Sequence, residues 1–186
     1  MALKLDKKIN SYFRRLKQVF LYIIDKCTLE CPQCIYKPNN TFSIGDKEIP
    51  YSTAINLINA FHALGARKLT FLGGEPTLYG EETNSGYSIC DLVYEAKRIG
   101  YDYVRMATNG VFESTLLDND KLKIIDEISF SIDGYDAATN DKIRGKGNFY
   151  KTTANIVRAI DLNYHVDITC CIYDEMLEKT TLANIY

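Results

Sequence analysis

Cys27, Cys31 and Cys34 fall in the stretch CTLECPQC, directly after the apolar run at residues 19–24. Their C-x3-C-x2-C spacing delivers three thiols onto one loop. Cysteine thiolate is the usual ligand of iron–sulfur clusters, so three of them can hold three irons of a four-iron, four-sulfur (4Fe-4S) cube. The fourth iron then has no protein ligand. An open coordination position is what separates a catalytic metal site from a closed structural one. Such an iron can bind and reduce a small molecule.

Three plainer readings compete with this one. Spacing i, i+4, i+7 also lies along one face of a helix, but Pro32 would remove a hydrogen bond there and clash with the preceding turn. Zinc needs a fourth ligand, and neither His62 nor His165 is near the trio, nor is there a second C-x2-C. A disulfide plus an odd thiol suits a secreted chain, whereas MALKLDKKIN lacks the apolar core of a secretory signal.

The elements that must position the thiols alternate at a steady pace. The pattern predicts strands at 18–25, 67–72, 101–107, 127–132 and 165–172, with helices beginning near Ser52, Gly86, Glu113 and Tyr150. Ser52 reads as the N-cap of TAINLINAFHAL and Gly65 as its stop, and Gly100 closes DLVYEAKRI in the same way. Strand–helix–strand repetition implies parallel pairing with right-handed crossovers, hence an α/β barrel or a doubly wound sheet. The polar stretches between these elements fall just after strands, where parallel α/β architectures place their sites.

Those stretches carry a resemblance. After the second strand comes Gly73-Gly74-Glu75-Pro76-Thr77, after the third Thr108-Asn109-Gly110, and at the end of the fourth Ser131-Ile132-Asp133-Gly134. Asn140-Asp141-Lys142-Ile143-Arg144-Gly145 follows, running to Phe149. With the cysteine stretch, this ordered set resembles the radical S-adenosylmethionine (radical SAM) superfamily, and within it the peptide and protein maturases. The resemblance covers the chain from about Gln18 onward and implies a partial (β/α) barrel. It also implies an enzyme that reductively cleaves S-adenosylmethionine at a 4Fe-4S cluster. The resulting 5′-deoxyadenosyl radical takes hydrogen, here from a peptide or protein. A glycyl-radical activase is the alternative enzyme, and a non-catalytic cluster-binding module the alternative class.

The resemblance assigns roles to residues. Cys27, Cys31 and Cys34 are the cluster ligands, and no other catalytic residue is implied. Gly73 and Gly74, with Glu75 nearby, face the methionine amino group. Ser131 and Arg144 hold its carboxylate, a task that suits arginine because its fork can pair with both oxygens. Asp133 faces the ribose hydroxyls or shapes a turn with Gly134. Asn109 reaches ribose or methionine, and Thr108 touches substrate. Gln33 stands where the family often has an aromatic residue beside the adenine. Lys142 and Lys146 face solvent. Cys90 reads as a buried hydrophobe. Cys170 and Cys171 point to opposite faces of the fifth strand, with burial expected.

The resemblance also implies a sixth strand and, with the SIDG…RG pattern, a cysteine-rich extension. After the fifth strand only residues 173–186 follow, so the chain reads as stopping short of the sixth strand or as completed by a second chain. Residues 1–17 read as a basic amphipathic lead-in helix to a core domain at 18–186. A single basic segment in an acidic chain argues against a membrane anchor. The formal net charge of −2 leaves no electrostatic footprint for nucleic acid. No apolar run reaches membrane-spanning length. Free thiols without a signal point to a reducing cytoplasm, and the implied chemistry calls for a one-electron donor of the flavodoxin or ferredoxin type.

Overall fold

A computed structural model describes residues 16–34, 48–81 and 86–171. The expected lead-in helix falls outside this range except for Leu16 and Lys17, and residues 172–186 also lie outside it. Five strands form one sheet in sequence order: β1 (Gln18–Tyr22), β2 (Lys68–Leu72), β3 (Tyr103–Thr108), β4 (Glu127–Ser131) and β5 (Val166–Thr169). Every neighbouring pair is parallel. Helix α1 (Tyr51–Ala63) connects β1 to β2, α2 (Ile89–Ile99) connects β2 to β3, and α3 (Ala137–Arg144) and α4 (Asn148–Asp161) connect β4 to β5. This is the α/β architecture of a partial barrel.

The register gives the two faces of the sheet different work. Residues paired across parallel strands share a face, and successive residues alternate. Leu69, Phe71, Val104, Met106, Ile128 and Phe130 all lie on one face and are fully buried. Ile58, Leu92, Val93, Ala96 and Ala159 of the helices belong to the same core. The opposite, inner face runs Phe20, Thr70, Arg105, Glu127 across four strands, and Phe20 there is 59% exposed. The strand YVRMAT shows the alternation directly: Val104, Met106 and Thr108 are buried, while Tyr103, Arg105 and Ala107 are only half-buried.

Local signals explain most boundaries. Gly100 ends α2 in the left-handed conformation, and Ser88 and Asp91 form a capping box at its start. Helix α1 begins two residues earlier than a Ser52 cap would place it, behind Pro50 and without a side-chain cap, so Ser52 is inside the helix rather than at its N-cap. The helix expected near Glu113 is a short 3-10 helix, Ser114–Asp118. Asn119 stops it: its Oδ1 accepts from the Lys121 amide at 2.9 Å, a local bond that competes with helix propagation. Helix α3, by contrast, occupies a stretch expected to lack one. Asp136 caps it by accepting from the Thr139 amide at 2.8 Å, a signal present in the sequence as Asp-x-x-Thr.

Among the described residues no helix is long and apolar enough to cross a membrane. The two faces predict unequal costs of truncation. Phe71→Ala should lower the unfolding free energy by about 3–5 kcal/mol, and Phe20→Ala, at an exposed site, by about 0.5 kcal/mol or less. Urea denaturation checks this, and equal losses would contradict the assignment of faces.

Candidate functional site

The loops leaving β1, β2 and β3 are bound to one another before any ligand is considered. The Gly74 amide donates to the Ile24 carbonyl at 2.6 Å, and the Glu75 amide to the Lys26 carbonyl at 2.8 Å. A Cβ on Gly74 would collide with the carbonyls of Asp25 and Lys26, so glycine is required for this close approach. The glycine pair therefore packs the β2 loop against the start of the cysteine loop.

Glu75 is 0% exposed. Its Oε1 accepts from the Thr77 amide at 3.1 Å, the Thr77 hydroxyl at 2.8 Å and the Thr108 hydroxyl at 2.7 Å, and its Oε2 accepts from the Asn109 amide at 2.7 Å. Thr108 thus faces Glu75 and is 2% exposed. Thr77 belongs to this cage, and its place in GGEPT was the available signal.

None of the three cysteines of the loop forms a disulfide. Asn109 reaches over to them from β3: its Nδ2 lies 3.5 Å from Cys27 Sγ and donates to Thr28 Oγ1 at 3.0 Å. The Leu29 amide donates to Cys27 Sγ at 3.4 Å, and the Cys34 amide to the Cys31 carbonyl at 3.1 Å. Cys27 keeps surface exposure, yet the loop crowds its sulfur, and that desolvation pushes its thiol up against the hydrogen bonds from Leu29 and Asn109. Burial pushes Cys31 up too, with the Arg144 guanidinium pulling it down. Donors aimed at a sulfur, and a cation beside one, suit thiolate ligands. Among the described residues no three metal-binding side chains already converge on one point.

On the other side of the loop, Asp133 joins four segments. Its Oδ2 lies 2.7 Å from Arg144 Nε and accepts from Gln33 Nε2 at 2.9 Å. Its Oδ1 accepts from the Cys171 amide at 2.8 Å, and its own amide donates to Asn140 Oδ1 at 3.0 Å. Asn140 in turn donates to Asn148 Oδ1 at 2.8 Å. Asn140 and Asn148, both buried, are supports that the sequence reading missed. Gly134 is glycine because a Cβ there would collide with the Asn140 amide. Ser131 ends β4, level with Thr169. Cys90 is 1% exposed, whereas Cys170 and Cys171 lie beyond β5 and are exposed rather than buried, as are Ile168 and Thr169 at the end of that edge strand.

The inner face below this site is polar on one side. Arg105 lies 2.7 Å from Glu127 through Nε and 2.6 Å from Asp167 through a terminal nitrogen, which also donates to Ser129 Oγ at 2.6 Å. One cation is matched by two carboxylates. A groove of about 810 Å³ opens beside Thr28, lined among others by Thr77, Val111, Phe112, Lys151 and Asn155.

The Glu75 cage has a pH signature. Burial pushes its carboxyl above the ordinary value of 4.5, against the hydrogen bonds from Asn109, Thr108 and Thr77 that pull it down. A carboxyl raised by folding holds its proton more tightly in the folded chain. Its contribution to stability is present below 4.5 and is lost as pH rises through the higher folded value. Glu75→Gln should therefore flatten the melting temperature against pH as pH rises above 4.5. Parallel curves for the two proteins would contradict it.

Comparison with known proteins agrees with this geometry. The chain is 29% identical over 161 residues to the GTP 3′,8-cyclase of Lactiplantibacillus plantarum, covering 86% of this chain and 46% of that protein. It is 25% identical over 185 residues to the GTP 3′,8-cyclase of Clostridium perfringens, covering 94% and 54%. The chain thus spans about half the length of the curated relatives it matches. Among solved structures, SuiB of Streptococcus suis superposes with a TM-score of 0.72 at 14% identity, over 91% of this chain and 36% of that one. The anSMEcpe structure with bound AdoMet and Kp18Cys peptide superposes with a TM-score of 0.67 at 17% identity, over 88% and 45%. The radical SAM superfamily model matches residues 21–182, nearly the whole chain. With the cysteine loop, the glycine–glutamate loop and the Arg144 fork arranged around the ends of β1 to β4, this chain belongs to the radical SAM superfamily.

Proposed function

We propose that Cys27, Cys31 and Cys34 hold a 4Fe-4S cluster and that the loops around them hold S-adenosylmethionine, making this chain the core of a radical enzyme that acts on a peptide or protein. One observation carries the reading: three thiols that form no disulfide share one loop, with Asn109 donating toward one of them. Soft thiolates are the donor set that iron–sulfur clusters take. When bound, the two groups supply a one-electron cleavage of the sulfonium that yields a 5′-deoxyadenosyl radical for hydrogen abstraction.

The chain's own residues bind and orient. Arg144 and Ser131 would receive the methionine carboxylate, and the 73–75 loop would stand by the amino group. Asn109 would reach the ribose or the methionine, and Gln33 would stand beside the adenine. A one-electron donor of the flavodoxin or ferredoxin type and a chain segment that completes the barrel beside β5 belong to the same proposal.

The peptide substrate is supported by two observations. Structures of SuiB with its precursor peptide SuiA and of anSMEcpe with peptides share this fold, and the groove at Thr28 can seat an extended segment beside the thiol loop. A nucleotide substrate is the second reading, favoured by the cyclase relatives. Against it, Arg105 of the inner face is already matched by Glu127 and Asp167 and is not available to a triphosphate.

Anaerobic reconstitution tests the proposal. The wild type should take up about four irons per chain and, once reduced, form 5′-deoxyadenosine from S-adenosylmethionine. Cys27→Ala, Cys31→Ala and Cys34→Ala should each abolish both, and Cys90→Ala neither. A folded protein that takes up only tetrahedral zinc sinks the reading. Calorimetric titration with GTP separates the two substrate classes, since tight binding would favour the nucleotide.

A further inference from the structure

Every oxygen of the Asp133 carboxylate is committed within the protein. Oδ2 meets Arg144 Nε and Gln33 Nε2, Oδ1 meets the Cys171 amide, and the residue is 0% exposed. A carboxylate so occupied has no oxygen directed at a ribose. The three partners come from the thiol loop, from the C-terminal end of α3 and from the residues after β5.

We propose that Asp133 is a positioning residue that touches no cofactor but sets the direction of two side chains that do. The inference rests on the reading above, in which Arg144 and Gln33 face S-adenosylmethionine. Arg144 is a long, flexible side chain, and its planar fork pairs with a carboxylate well only when held in orientation. Asp133 pairs with it electrostatically at Nε, 2.7 Å away and not aligned as a hydrogen bond, which leaves the terminal nitrogens for a second planar acid. The same carboxylate decides how the Gln33 amide is turned. Nε2 is drawn to Asp133, so Oε1 is the atom left over, and it is buried without a hydrogen-bond partner. An orphaned buried acceptor is costly and calls for a donor. The exocyclic amine of adenine is such a donor, whereas the carbonyl of hypoxanthine is not. Asp133 thereby imposes a preference for an amino-bearing base through Gln33 and fixes the carboxylate clamp through Arg144.

The test uses the full chain, reconstituted anaerobically, titrated by calorimetry with S-adenosylhomocysteine and with S-inosylhomocysteine. Arg144→Ala and Asp133→Asn should each weaken S-adenosylhomocysteine binding by about ten- to hundredfold. The double variant should be within about twofold of Arg144→Ala alone, because the two act as one unit. The wild type should prefer the adenosyl ligand, and Asp133→Asn, which frees the Gln33 amide to turn, should cut that preference by about tenfold. Gln33→Leu should abolish it and keeps this arm decisive if Asp133→Asn does not fold.

In the cofactor-free chain, the 15N resonance of Arg144 Nε, identified by its loss in Arg144→Lys, should move in Asp133→Asn and stay in Asp161→Asn. An unmoved resonance overturns the pairing. Binding with fully multiplied losses, or an unchanged base preference, overturns the inference and leaves the functional reading standing. A wild type that binds neither ligand overturns both.

Discussion

The amides of Gly74 and Glu75 reach the carbonyls of Ile24 and Lys26 at 2.6 and 2.8 Å, and the Glu75 carboxylate is then caged by Thr77, Thr108 and Asn109. This close packing of three strand ends is the constraint on which the site depends. It requires a residue without a side chain at position 74. It also requires that a buried carboxyl be satisfied at every lone pair that water would otherwise serve. Once both conditions hold, the loop that carries the thiols is anchored at its base, and Asn109 is placed over Cys27 by the backbone that bonds Glu75.

The same principle recurs at β4. Asp133 is as deeply buried as Glu75, but one of its partners, Arg144, is charged. A buried ion pair is weak evidence for stability, because desolvation offsets much of the attraction, yet removing one partner leaves the other stranded at high cost. The Asp133–Arg144 pair is therefore better understood as geometry than as glue. It ties α3, the thiol loop and the end of β5 into one frame.

Division of labour between the sheet faces makes room for this polar construction. Phe71, Met106, Ile128 and Phe130 supply the burial that holds the fold, all on the helix-covered face. The inner face can then carry Arg105, Glu127, Ser129 and Asp167, which an apolar core would not tolerate. Polar chemistry and packing are separated by the period-two alternation of the strand.

What the sequence by itself determined is the chemistry and the alternation. The C-x3-C-x2-C loop, the order of the polar stretches and the parallel strand–helix pattern were all legible, because ligand spacing, turn residues and apolar runs are local properties. Asp136 with Thr139 at the start of α3 was also legible but went unread. Tertiary structure alone decided the partners of buried polar groups. Asp133 is bonded to Gln33, 100 residues away, Glu75 to Asn109, and Asn140 to the Asp133 amide. No short-range pattern announces such pairs, since they follow from which strand ends the register brings level. The exposure of Cys170 and Cys171 has the same origin: they follow β5, an edge strand of the described sheet whose last residues, Ile168 and Thr169, are exposed as well.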